Sequence, residues 1–210
     1  MHGSQAPSGW VQRWLHLLPA GARVVDLACG AGRHSLLAAS AGHRVLAVDR
    51  DPVALAMLLQ AAETAGTAQA VTSIQADLEG QGWPLMPSCA DALIVTNYLW
   101  RERFADWLDL LAPGGVFIME TFARGNARYG KPSNPAFLLE PGELLARMPP
   151  AWTVVAFEQG LDAQPQPRVV QRIVAVLPGE RSTPDPVDDL AASAVPDAAV
   201  RALWTLRLNS

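Results

Sequence analysis

An α/β fold built on a doubly wound parallel sheet is predicted by three observations. The apolar runs at 23–28 and 44–48 are short and valine-rich, as strands buried on both faces are. A helix-length gap separates them, so the order is strand, helix, strand. The first run passes directly into Cys29-Gly30-Ala31-Gly32, a turn whose backbone amides can approach a ligand at the start of a helix.

The remaining elements follow in order. Trp10, Val11, Trp14, Leu17 and Leu18 fall at helical spacing, which predicts an amphipathic helix over 8–18 that lies against the core and is placed to roof a ligand. Pro19-Ala20-Gly21 ends it. Helices are expected at about 33–41 and 52–63, the second opened by Asp51-Pro52, with Asp51 as its cap. Strands follow at 71–75, 91–96 and 115–121, with a helix around 102–111 that stops at Pro113-Gly114-Gly115. Residues 122–140 carry Gly125, Asn126, Gly130, Pro132, Asn134 and Pro135 around Tyr129 and Phe137, a long punctuated loop and a lid candidate. A short helix at 141–147 leads to strands at 152–158 and 168–177, whose link through Gly160, Pro165 and Pro167 marks an antiparallel hairpin. One catalytic domain over 1–177 is expected, and 178–210 reads as a Pro- and Asp-rich extension, part linker and part docked through Val200–Trp204.

Composition narrows the function classes. A chain of 210 residues can bury one sheet on both faces. No apolar run has the length of a membrane span or a signal peptide, so no membrane partner is expected and the cytoplasm is the expected compartment. Cys29, Cys89 and four scattered histidines have no zinc-ligand spacing, so no metal is expected. A formal charge of −4 disfavours nucleic acid as a partner.

Asp26 lies four residues before Gly30, where a dinucleotide fingerprint usually continues with apolar or glycine residues. Asp49 ends the second strand, nineteen residues beyond Gly30, near the spacing at which an acid meets ribose hydroxyls. The motif Asp26-Leu-Ala-Cys-Gly-Ala-Gly32 resembles motif I of class I S-adenosylmethionine-dependent methyltransferases, and Leu111-Ala-Pro-Gly-Gly-Val-Phe-Ile118 looks like their segment entering strand five. Gly30-Ala-Gly-Arg-His-Ser35 and the small size most resemble the tellurite-resistance, TehB-like members. The resemblance spans about residues 8 to 177. It implies a seven-stranded Rossmann-like sheet in the order 3-2-1-4-5-7-6 with strand 7 antiparallel, and S-adenosylmethionine as cofactor with S-adenosylhomocysteine as product.

On that resemblance, the amides at Cys29, Gly30 and Gly32 meet the methionine carboxylate and Asp26 accepts from its ammonium. Asp49 grips the ribose. Asp77, with the neighbouring Leu78 backbone, meets the adenine, the alternative for Asp77 being a solvated loop aspartate. Asn97, in the family's motif IV region, orients the reacting groups or the cofactor. His34, Tyr98, Trp100, Arg101 and Tyr129 are candidates for the acceptor side, against blander roles as loop support, core aromatics and a surface cation. No obligatory catalytic base is evident. The implied reaction is direct in-line methyl transfer to a small-molecule acceptor by a monomer or homodimer. Two alternatives stand beside it: a nicotinamide-dependent oxidoreductase, although Ser35 replaces its third fingerprint glycine, and a non-catalytic cofactor-binding protein that acts through its tail.

Overall fold

The computed structural model describes residues 6–80, 82–163 and 166–179. Seven strands form one sheet in the order β3-β2-β1-β4-β5-β7-β6. They are β1 (Arg23–Leu27), β2 (Arg44–Asp49), β3 (Val71–Gln75), β4 (Ala90–Thr96), β5 (Leu111–Phe122), β6 (Thr153–Asp162) and β7 (Arg168–Val176). The first five run parallel, and β7 is antiparallel to both β5 and β6, as expected from the sequence.

Strand alternation sorts the core into two layers. Val24, Ala47, Ile94, Ile118 and Val174 point to one face, covered by α1 (Gly9–Trp14), α2 (Arg33–Ser40) and α3 (Pro52–Thr64). Val25, Leu46, Val95, Phe117 and Ile173 point to the other, covered by α4 (Phe104–Asp109), α5 (Glu143–Ala146) and the segment carrying Leu78 and Leu85. Both faces are therefore buried, which accounts for the near-continuous apolar strands. Asp26 is the exception inside β1, and it lies on the α2 side. At the opposite end of the same strand, Arg23 and Asp91 form a buried ion pair at 3.0 Å that ties β1 to β4.

Several boundaries differ from the sequence reading. The helix expected over 102–111 is a 3-10 turn at Arg101–Arg103 followed by α4, and β5 begins at Leu111. The strand absorbs Pro113-Gly114 because Leu111 already pairs with Ala90 ahead of a bulge. β6 runs on to Asp162 and takes Gly160 into the strand, because Glu158 and Asp162 stand opposite Arg172 and Arg168 of β7. Helix 8–18 is shorter than expected, α1 giving way to a 3-10 turn at Leu15–Leu17. Among the described residues, no helix is long and apolar enough to cross a membrane. The expected extension lies outside the described residues from position 180 onward, as do Gln164 and Pro165 of the hairpin link.

Candidate functional site

The carboxyl edge of β1 carries the densest backbone irregularity in the molecule. Ala28, Gly30 and Gly32 all adopt positive φ, at 53°, 56° and 75°. For alanine this conformation costs on the order of 1 kcal/mol or more, and such strain gathers at ligand sites. Gly32 has no alternative, since a Cβ there would stand 2.2 Å from Leu58 Cδ1. Gly30 is different: nothing lies within 4 Å of its would-be Cβ, so the turn presents open backbone to a ligand.

Beneath this turn the Asp26 carboxyl is 1% exposed. Its Oδ2 accepts from Ser35 Oγ at 2.6 Å, and its Oδ1 has no hydrogen-bond partner. Burial drives its pKa up to about 7, against a smaller lowering by Ser35. A buried carboxyl with one unsatisfied oxygen beside an open turn is set to receive a cationic or donor group.

Asp49, at the end of β2, holds the loop from the other side. Its Oδ2 accepts from the Gly30 amide at 2.7 Å and its Oδ1 from Asp51 N–H at 2.9 Å. Each oxygen keeps a further lone pair, so a diol can still be received. Asp51 itself caps α3, accepting from Val53 N–H at 2.9 Å. Asp77 is exposed past β3 and accepts from Glu79 N–H. The Leu78 side chain is buried in the core, which leaves its backbone for any ligand. Asn97 ends β4 at φ 55°, its amide donating to the Glu120 carbonyl at 2.9 Å. Asparagine tolerates that left-handed conformation better than most residues.

A cleft of about 890 Å³ adjoins Asn97, bounded by the amino end of α1, the 122–130 segment and the ends of β5, β6 and β7. Tyr129 lines it. Three other acceptor-side candidates stand elsewhere. Arg101 spends its guanidinium on both oxygens of Glu143 and on the carbonyls of Ala136 and Leu138, so its fork holds the 122–140 segment to α5. Trp100 lines a small recess of about 120 Å³ with Arg101, Ala136 and Phe137. Tyr98 tilts against Trp107, with its hydroxyl buried and its pKa raised by burial and by the carboxylates of Glu79 and Asp77.

The geometry also corrects His34. Its Nε2 accepts from the Ser8 amide at 3.0 Å, so Nδ1 carries the proton and meets Thr96 Oγ1 at 3.1 Å. Burial, reinforced by Arg33, pushes its pKa down to about 3. A neutral ring with both nitrogens engaged anchors the start of α1 and has no lone pair for base catalysis.

The residues that sequence reasoning missed are the charged ones of the cleft, above all Glu120, Arg168 and Arg172. They stand in cross-strand rows, with Glu120 opposite Arg172 and Arg172 opposite Glu158, while Asp162 pairs with Arg168. A signal was available in Arg168-Val-Val-Gln-Arg172, whose arginines share a strand face, and in Glu120 within an otherwise apolar strand.

A methyltransferase-domain family model matches residues 24–115, which contain the turn, Asp26, Asp49, Asp77 and Asn97. That stretch is similar to a methyltransferase domain, and the sheet has the fold of solved S-adenosylmethionine-dependent methyltransferases. TehB from Haemophilus influenzae is similar over 84% of the chain with 18% identity and a TM-score of 0.70, and the chain spans 64% of that protein's length. An S-adenosylmethionine-dependent methyltransferase from Mesorhizobium loti is 21% identical over 80% of the chain and 98% of its own, with a TM-score of 0.60. The [4+2]-cyclase SpnF shares the fold at a TM-score of 0.63 and 15% identity over 80% of the chain and 82% of its own. No curated protein matches by sequence.

S-adenosylmethionine is the cofactor that the methyltransferase-domain match implies, and the donor set fits it. The turn offers amides that suit a carboxylate, Asp26 keeps an unsatisfied buried oxygen that suits an ammonium, and Asp49 and Asp77 add carboxylates past the ends of β2 and β3.

Proposed function

We propose that the protein transfers a methyl group from S-adenosylmethionine to a small-molecule acceptor. The observation that carries this reading is the unsatisfied, fully buried Asp26 oxygen under an open glycine turn. A concave cleft of about 890 Å³, lined by Arg33 and Asn97, supports a small acceptor, since that volume suits a small molecule better than a macromolecular surface. In this reading Asp26 holds the ammonium, the amides at Cys29, Gly30 and Gly32 the carboxylate, Asp49 the ribose, and Asp77 with the Leu78 backbone the adenine.

When bound, the cofactor supplies a sulfonium methyl: the acceptor's lone pair forms the new bond to carbon as the carbon–sulfur pair returns to sulfur. What this chain contributes is placement. Asn97, in a left-handed conformation with its backbone N–H on the Glu120 carbonyl, lines the cleft. The amino end of α1 walls the cleft, fixed by the bond from the Ser8 amide to His34 and by the Arg33 contact with the Ala6 carbonyl at 3.2 Å. That wall excludes water from the reacting atoms, which favours a step in which charge is cancelled. With His34 locked neutral, proton removal falls to the acceptor's own acidity or to solvent.

SpnF shows that this fold also carries other chemistry, so binding and turnover need separate tests. Calorimetry should show S-adenosylmethionine and S-adenosylhomocysteine binding with NAD silent. Release of S-adenosylhomocysteine on adding small acceptors then measures transfer. Folded protein that binds neither sulfur ligand contradicts the proposal.

A further inference from the structure

The cleft is polar and unevenly charged. Arg13, Arg33, Lys131, Arg168 and Arg172 line it against Glu120, Glu158 and Asp162, an excess of two positive charges among the described residues. The carboxylates are mostly spoken for. Glu158 meets Arg13 at 3.5 Å and Arg172 at 3.4 Å, and Asp162 meets Arg168 at 3.0 Å and also Arg172.

Glu120 is the unusual member. It is 0% exposed and lines the cleft. One oxygen accepts from Arg172 Nε. The other stands 3.1 Å from Arg168 Nη2 without the alignment of a hydrogen bond, and it is left without a hydrogen-bond partner. A buried carboxylate oxygen in this state is completed by a ligand O–H or N–H. The net positive lining of the concavity attracts an anion. A dianion beside Glu120 is disfavoured by repulsion, so one negative charge fits better than two.

Resting on the methyl-transfer reading, we propose that the acceptor is a small monoanionic acid that also carries a hydroxyl or amino group, with Arg168 and Lys131 holding the acid and Glu120 receiving the O–H or N–H. Asn126 and Tyr129 line the same side, and Trp10 and Phe122 give the carbon skeleton an apolar wall. Glu120 and Arg168 are positioning residues in this account. The nucleophile's lone pair makes the bond to the methyl carbon, the carbon–sulfur pair stays on sulfur, and the nucleophile's proton leaves to solvent.

The test uses the full chain, with and without saturating S-adenosylhomocysteine, titrated with lactate, anthranilate and salicylate and with the carboxamide of each. Turnover of the same compounds is followed with S-adenosylmethionine. At least one acid should bind or react, about 10-fold or more better than its carboxamide, the size of effect one charge-assisted contact provides. Lys131→Gln, at an exposed position, should erode that preference without changing S-adenosylhomocysteine affinity. Arg168→Gln should abolish it, raising KM for the acid more than for the carboxamide. Equal handling of acid and amide, or no acid bound at millimolar concentration in either state of the protein, overturns the proposal. Failure of S-adenosylhomocysteine to bind is a separate result: it sinks the methyl-transfer reading, while the titrations without it still report on the cleft.

Discussion

Asp26 concentrates the opposing demands of folding and binding in one side chain. Its folded pKa, raised by burial to about 7 from 3.8, means that the native state holds a proton that the unfolded chain gives up. Stability contributed here therefore falls as pH rises from about 4 to about 7. Asp26→Asn should flatten that slope and raise the melting temperature at alkaline pH, while S-adenosylhomocysteine affinity drops about 10-fold or more. A cationic ammonium favours the ionised carboxylate, so binding near pH 6 should release a proton, measurable by calorimetry in buffers of different ionisation enthalpy. His34 carries the opposite sign. With a folded pKa of about 3 against 6.5, it withdraws stability as pH falls below 6.5, and its ring resonances should stay those of the neutral Nδ1–H form down to about pH 4. Asp26 and Asp49 were legible because they fall at fixed offsets from a glycine turn. His34 was not, because its role depends on Ser8 and Thr96, which only folding brings to it.

At the scale of elements, the 122–140 segment departs most from a free loop. The turns Asn126–Arg128 and Pro135–Phe137 are stitched to the body by Asn126, which donates to the Pro132 carbonyl and accepts from Val169 N–H, and by the Arg101 fork. Glu143 completes the clamp: burial alone would raise its pKa, but its bonds from Arg101 and Arg147 hold it down at about 2. That contribution is present above the ordinary glutamate pKa near 4.5 and is lost as pH falls toward 2. Arg101→Ala should cost about 2 kcal/mol and expose the segment to limited proteolysis, with cofactor affinity nearly unchanged. Cleavage no faster than in the parent chain contradicts the clamp. Gly32→Ala should be harsher, destabilising by roughly 2–4 kcal/mol through both its positive φ and the collision with Leu58, and Leu58→Ala should relieve only the second part. The strands were legible from their alternation, but the ends of β5 and β6 were not. Pro113 and Gly160 look like turn residues locally, but Pro113 lies in a bulge between the paired Leu111 and Val116, and Gly160 is held opposite Val170.

At the scale of the whole molecule, the sheet order brings the carboxyl ends of β1, β2 and β4 to one crevice, and the antiparallel β7 carries its arginines to the same edge. The cofactor half lies within consecutive strand–turn–helix units, so sequence spacing alone exposes it. The acceptor half is assembled from α1, the 122–130 segment and β5 to β7, elements distant in sequence, and no local pattern announces that Glu120 will face Arg168 and Arg172. Fold and cofactor are therefore open to a reader of the chain, whereas the acceptor's chemistry becomes visible only once the register of β7 is known. The most direct test of the account is a crystal structure with S-adenosylhomocysteine. The amino-acid end should be seated over Gly30, with its ammonium on the unsatisfied Asp26 oxygen and its sulfur facing the Asn97 side of the cleft. A ligand bound elsewhere, or Asp26 still bonded to Ser35 alone with the ligand in place, contradicts it.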